Sequence, residues 1–156
     1  MKLRFCEFPI FENSMLAGLK HLNRIDSVMA RSEWEEDEFF DGVMLDNSES
    51  IIDGTMTNLF FSKNNVLYTP IIKKSGINGI MRQVVIDNAK LFFKEVCEIE
   101  IKRKTISTFD EMFVTNSVIK ILPVTHLSNK KFKITDATRN MINFFFKKSK
   151  RSKNLE

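Results

Sequence analysis

Asp53-Gly-Thr-Met-Thr-Asn-Leu-Phe-Phe-Ser-Lys-Asn-Asn-Val-Leu-Tyr-Thr-Pro70 carries the main folding signal of the chain. Two apolar, strand-forming runs, Thr57 to Ser62 and Val66 to Thr69, flank Lys63-Asn64-Asn65, and Asn tolerates the positive φ that a tight turn demands. This predicts a β-hairpin. Upstream, Gly42 to Leu45 and Ile51-Ile52 read as short buried strands around the turn-rich Asp46-Asn-Ser-Glu-Ser50, so the region is expected to run as a meander. Downstream, Ser75-Gly-Ile-Asn-Gly79 opens a helix whose apolar positions Met81, Val84, Val85, Ala89 and Phe92 follow the helical period to about Glu95. Strands are expected over Glu98 to Thr105, Met112 to Thr115, Ile119 to Val124 and Phe132 to Ile134, with a turn of helix beginning at Ser107-Thr108. A last helix, capped by Thr135 or Asp136, buries Ala137, Met141, Phe144 and Phe145. Toward the N-terminus, Leu22, Ile25, Val28 and Met29 predict a helix to about Glu35 with Asn23 as cap, and Lys2 to Phe11, interrupted by Pro9, reads as an extended arm or edge segment. Hairpins mixed with helices in this order give an α+β domain, not an alternating parallel one.

The 156 residues fit one domain with a real core. With 43% hydrophobic and 28% charged residues, the chain is globular and neither disordered nor membrane-spanning, and 15 Phe against one Tyr and one Trp foretell an aromatic interior. Cys6 and Cys97 lack the spacing and the neighbouring histidines of a zinc site, so no metal is expected and both read as reduced core thiols. Charges at Lys2, Arg4 and Glu7 break up any signal-like apolar run, which makes a cytoplasmic location the expectation, without a membrane segment. The net charge of +4 collects in Lys147, Lys148, Lys150, Arg151 and Lys153. A basic cluster of this kind suits an anionic surface or nucleic acid, but a solvated terminus explains it more simply.

Three features carry chemistry. Gly18-Leu-Lys20-His-Leu-Asn-Arg24 places a lysine with no acidic neighbour just before a helix; such a lysine is usually only solvated, and a nucleophilic role needs burial to lower its proton affinity. Gly76-Ile-Asn-Gly79-Ile80-Met81 puts glycines and unpaired amides at a helix start, which suits a phosphate but is also an ordinary loop-to-helix junction. Thr115-Asn116-Ser117 offers three polar side chains at a strand end, as many strand ends do.

Taken together and in order, these stretches resemble the amino-transferase class IV family, the fold-type IV pyridoxal phosphate proteins. Cys6-Glu-Phe-Pro-Ile-Phe through Arg24 resembles its interdomain linker and lysine motif. Asp53 to Phe60, Tyr68-Thr-Pro70, Asn78-Gly-Ile-Met-Arg82 and Thr115 to Val124 are similar to its successive motifs. Within the family, Lys-His-Leu-Asn-Arg and Asn-Gly-Ile-Met-Arg look more like the 4-amino-4-deoxychorismate lyase branch than the D-amino acid or branched-chain aminotransferases. The resemblance implies the C-terminal domain of the D-amino acid aminotransferase-like fold, a mixed sheet or pseudo-barrel with flanking helices. It divides the chain into a linker and lysine segment (1–20), a cofactor domain (21–147) and a basic tail (148–156).

By that resemblance, Lys20 is the catalytic Schiff-base lysine, and Lys20, Asp53, Ile80, Met81 and Ser117 bind pyridoxal 5'-phosphate. Ile80 and Met81 would give backbone N–H groups and Ser117 its hydroxyl to the phosphate, with Asn116 close to the substrate. Asp53 stands where the family usually has Glu, one methylene longer, to hold the pyridine nitrogen; alternatively it only accepts from turn amides beside Gly54. His21, Arg24 and Arg82 take structural jobs, and His126 reads as a surface residue. The implied reaction converts 4-amino-4-deoxychorismate to p-aminobenzoate and pyruvate in folate synthesis, with a transaminase or a silent dimerisation remnant as alternatives. The expected partners are a small-molecule substrate and a second copy in a homodimer, and nucleic acid is not expected. Family members carry an N-terminal lobe that closes the pocket, and the quoted motifs begin at the linker, so the chain by itself is expected to turn over negligibly.

Overall fold

In a computed structural model, which describes residues 1–35 and 37–152 and the side chains as far as Phe146, the chain forms four layers. Strands β1 (Lys2–Phe5), β2 (Asp41–Leu45), β3 (Ser50–Gly54), β7 (Ile101–Lys102), β10 (His126–Leu127) and β11 (Lys130–Lys131) build a six-stranded sheet ordered β11-β10-β1-β2-β3-β7. Strands β4 (Asn58–Lys63), β5 (Val66–Pro70), β6 (Glu95–Ile99), β8 (Glu111–Asn116) and β9 (Lys120–Val124) build a five-stranded one ordered β6-β5-β4-β8-β9. Helix α1 (Ile25–Arg31) covers the outer face of the first sheet, and α2 (Ile80–Asn88) and α3 (Asp136–Ser152) cover that of the second.

Period-two alternation explains this stacking. On β4, Leu59 and Phe61 point between the sheets to meet Val43, Ile51, Met112 and Val114, while Phe60 points the other way toward Val85 and Met141. Both faces of β4 are therefore dry, as its unbroken Leu-Phe-Phe run requires. Phe60 lies opposite Phe113 across the β4–β8 ladder and stacks on it at 5.0 Å, an aromatic cross-strand pair of the kind that fixes register.

Several expectations need correction. Lys2–Phe5 is no edge: β1 runs parallel between β10 and β2, with Leu3 buried, because Pro9 falls beyond the strand and costs it no ladder bond. The expected meander breaks at Gly54–Thr57, where the chain leaves the six-stranded sheet for the five-stranded one. Helix α1 spans only Ile25–Arg31, and the residue before it, Arg24, makes no side-chain capping bond, so Asn23 is not the cap. Beyond it, the Glu33 carboxylate accepts from the amides of Glu7 and Phe8 and Trp34 turns into the core, which ends the helix before Glu35. The helix after Gly79 stops at Asn88, continued by a 3₁₀ turn to Leu91, because Phe93 turns inward and the Lys94 amide bonds Asn65 O. The strand read over Glu98 to Thr105 starts earlier, at Glu95, and splits at Glu100 between the two sheets, and a 3₁₀ turn over Arg103–Thr108 takes its last residues. In place of a strand over Phe132 to Ile134, Lys130–Lys131 pairs with β10, and Lys133 makes only an isolated bridge to Glu111. Cys6 is buried as expected, but Cys97 and His126 are both half-buried, on β6 and β10. The basic tail from Lys147 onward lies outside the described side chains. No helix among the described residues is long and apolar enough to cross a membrane.

Candidate active site

One end of the two sheets collects a set of polar groups. Strand β3 carries Asp53 next to its last residue, β4 begins with Asn58, β8 ends at Thr115-Asn116, and α2 points its N-terminus at the same place. Between them lies a cavity of about 430 Å³ whose walls include Lys20, Asp53, Ile80, Met81, Asn116 and Ser117. Every site residue expected from the sequence thus lines one space, of a size typical of small-ligand pockets, roughly 300–1,000 Å³.

Backbone bonds set this convergence. The Gly18 amide donates to Gly76 O at 2.9 Å and the Asn78 amide to Gly18 O at 3.1 Å, lacing the lysine segment to the glycine loop. Lys20 therefore emerges beside the start of α2; it is exposed, with no hydrogen bond or ion pair among the described residues. The described residues leave Lys20 without the burial that a nucleophilic lysine needs. At α2, Ile80 and Met81 belong to the first turn, whose amides have no acceptor within the helix. A side chain at position 79 would collide with Asn58 Oδ1, so Gly79 lets the helix tip sit against β4.

Asp53 is buried, and its carboxylate accepts three bonds. Oδ2 accepts from the Ile77 amide at 3.1 Å, and Oδ1 from Asn58 Nδ2 at 2.9 Å and the Gly54 amide at 3.2 Å. Asn58 Nδ2 also donates to Ile77 O at 2.7 Å, so Asp53 and Asn58 together clamp the glycine loop to the sheets. Burial pushes the Asp53 carboxyl up to about 7; the three donors pull it down, and the nearby Asp41 charge adds to the rise. Arg82, itself buried, pins α2 from behind through Pro70 O at 2.9 Å, Asn78 Oδ1 at 3.1 Å and Glu98 at 2.6 Å. Asn116 spends its carboxamide locally: Oδ1 accepts from the amides of Val118 and Ile119, both at 2.9 Å, and Nδ2 reaches Met56 O at 3.3 Å. It shapes the turn that presents the exposed Ser117.

One wall residue, Asn58, is absent from the site residues expected from the sequence. Asn58 was passed over as part of a strand, although a buried Asn at the head of an apolar run is a poor strand former and so a signal. Thr115 stands opposite Asn58 in the ladder, fully buried, and its hydroxyl has no partner among the described residues. A fully buried hydroxyl left unpaired in the wall of a cavity suits a ligand that supplies the missing bond. An amine at one edge, a buried carboxylate, helix-tip amides and an exposed serine hydroxyl form a set of donors and one acceptor that fits an aldehyde-bearing, phosphorylated, nitrogen-containing ring.

Known proteins share the sequence pattern and the fold. The family model for amino-transferase class IV matches residues 5–127. An aminodeoxychorismate lyase of Vibrio harveyi is 33% identical over 134 residues, covering 86% of this chain and 49% of that protein. A branched-chain-amino-acid aminotransferase of Salmonella typhimurium is 33% identical over 102 residues, covering 65% of this chain and 33% of its own length. The crystal structure of 4-amino-4-deoxychorismate lyase from Pseudomonas aeruginosa superposes with a TM-score of 0.87 at 31% identity, over 92% of this chain and 53% of that one. The chain thus spans about half the length of these two lyases. By sequence and by fold, it belongs to the amino-transferase class IV family.

Proposed function

We propose that this chain is the cofactor-holding half of a pyridoxal 5'-phosphate-dependent 4-amino-4-deoxychorismate lyase, which releases p-aminobenzoate and pyruvate. One observation carries the reading: Lys20, Asp53, Ile80, Met81, Asn116 and Ser117, scattered over nearly a hundred residues, line a single cavity. Lys20 would bind the cofactor through its amine and, once freed by the substrate amine, move a proton at the reacting carbon. Asp53 would hold the ring nitrogen, its carboxylate kept in place by the Ile77, Asn58 and Gly54 donors. The amides of Ile80 and Met81 and the Ser117 hydroxyl would converge on the phosphate, where the dipole of α2 adds its partial positive charge. When bound, the cofactor supplies an electron sink.

Lys20 is exposed on this half, and closing an active site against water contributes much of catalysis. Cofactor binding with negligible turnover is therefore expected of the chain assayed alone. Titration with pyridoxal phosphate should give a visible absorbance band that Lys20→Ala abolishes. Ser117→Ala should weaken binding about tenfold, the loss of one charge-assisted bond. A wild-type chain that gives no band refutes the assignment. The similarity to the Salmonella aminotransferase supports transamination as a second reading. Supplied with the other half of such an enzyme, a lyase yields p-aminobenzoate and pyruvate, and a transaminase exchanges its amino group with a keto acid.

A further inference from the structure

Asp41 opens β2, is wholly buried, and has no ion-pair partner among the described residues. An unpaired buried carboxylate is costly unless donors surround it. Here Oδ1 accepts from the Gly42 amide at 2.8 Å, the Thr55 amide at 3.0 Å and the Thr55 hydroxyl at 2.5 Å, and Oδ2 accepts from the Thr57 hydroxyl at 2.6 Å. Three of these four donors sit on the Gly54–Thr57 turn that carries the chain from one sheet to the other. A side chain at position 54 would strike both Asp41 Oδ2 and Thr57 Oγ1, so the turn lies directly on this carboxylate. Asp53 and Asn58 bracket the turn, bonded to each other at 2.9 Å, and both line the cavity.

We propose that Asp41 is a positioning residue for this site: through the Gly54–Thr57 turn it fixes where Asp53 presents its carboxylate, and its buried charge makes that edge selective for a protonated ring nitrogen. The proposal rests on the reading of the cavity as a pyridoxal phosphate site. Two neighbouring carboxylates in a dry region repel one another, and a cation entering beside Asp53 relieves both. The charged and titratable groups facing the pair are few. Cys6, just after β1, feels the Asp41 charge. From the segment before α1, Lys20 and Arg24 line the cavity, and Arg24 Nη2 reaches Thr55 O at 3.4 Å. Neither cation forms an ion pair with Asp41 or Asp53. The Asp41 charge also acts with burial to raise the Asp53 carboxyl.

The test follows the Asp53 carboxyl carbon by NMR across pH in the chain without cofactor, in wild type, Asp41→Asn, Thr57→Val and Thr57→Ser. Asp41→Asn removes the charge and keeps the shape. Thr57→Val takes a donor from Asp41, so that Asp41 holds its proton more readily and presses less on Asp53. In both variants the Asp53 midpoint should fall by about one pH unit, and Thr57→Ser should restore it; a purely structural role would lower the melting temperature and leave the midpoint alone. An unchanged midpoint in the variants that fold overturns the proposal, as does a wild-type midpoint in the ordinary aspartate range. A second arm compares pyridoxal phosphate with its analogue bearing C–H in place of the ring nitrogen. Wild type should prefer the natural cofactor about tenfold more strongly than Asp41→Asn does, and an equal preference refutes the selectivity. If wild type binds neither compound, the functional reading fails by itself, whatever the cofactor-free titrations show.

Discussion

Asp53 meets two demands at once, for it is a strut in the folded chain and the group that would face the ring nitrogen. As a strut it has a pH signature whose sign can be worked out. Its carboxyl rises in the fold from the ordinary 3.8 to about 7, so between those values the folded chain holds a proton that the unfolded chain has released. Stability contributed by that proton is greatest near pH 4, declines as pH rises toward 7, and levels off above. Asp41, also raised by burial, acts in the same direction. The melting temperature without cofactor should therefore fall between pH 5 and 7, and Asp53→Asn should flatten the slope; a slope unaltered by the substitution contradicts this. At this scale the sequence was informative where a motif was quoted whole: Lys20, Asp53, Ile80, Met81, Asn116 and Ser117 all reach the cavity. Asp41 and Asn58 were not legible, because their importance lies in partners 14 and 19 positions away that no local pattern reveals.

Among the elements, α2 and the β4–β5 hairpin were readable and α1 was not. Lys63-Asn64-Asn65 does turn the hairpin, with both asparagines at positive φ. The apolar spacing located α1 but misjudged its facing: Asp26, Ser27 and Ala30 are buried, while Val28 is 59% and Leu22, just before the helix, 101% exposed. Periodicity identifies a stripe, not what covers it. The sheet change at Gly54–Thr57 was invisible for a similar reason, since hairpins within a sheet and crossings between sheets use the same turn residues. Arg82 fixes α2 against β5 and β6, and replacing it with Met should leave the buried Pro70 carbonyl unpaired and cost about 2 kcal/mol. The loss should appear as a melting temperature roughly 5 °C lower. It should also appear as weaker cofactor binding, because the helix tip that carries Ile80 and Met81 is then less firmly held. A variant melting within a degree of wild type would show that Glu98 and Pro70 do not hold the helix.

For the molecule as a whole, the outward stripe of Leu22, Ile25, Val28 and Met29 leaves apolar surface in water, and surface of that kind favours association. A second copy of the chain is the partner this stripe would be expected to meet. Sedimentation velocity over a concentration series should show self-association that Val28→Glu with Met29→Lys reduces; identical profiles for the two proteins would exclude this face. The layered α+β plan was foreseeable from the mixture of hairpins and helices, yet the division of the strands between two sheets required coordinates.

The lacing of Gly18 to Gly76 and Asn78 has one more consequence. Since backbone hydrogen bonds between Gly18, Gly76 and Asn78 set its length, the span from the amine to the helix tip works as a gauge. A side chain at Gly18 or Gly76, both at positive φ, would strain the gauge, and adding or removing a single residue between Gly18 and Lys20 would reset it.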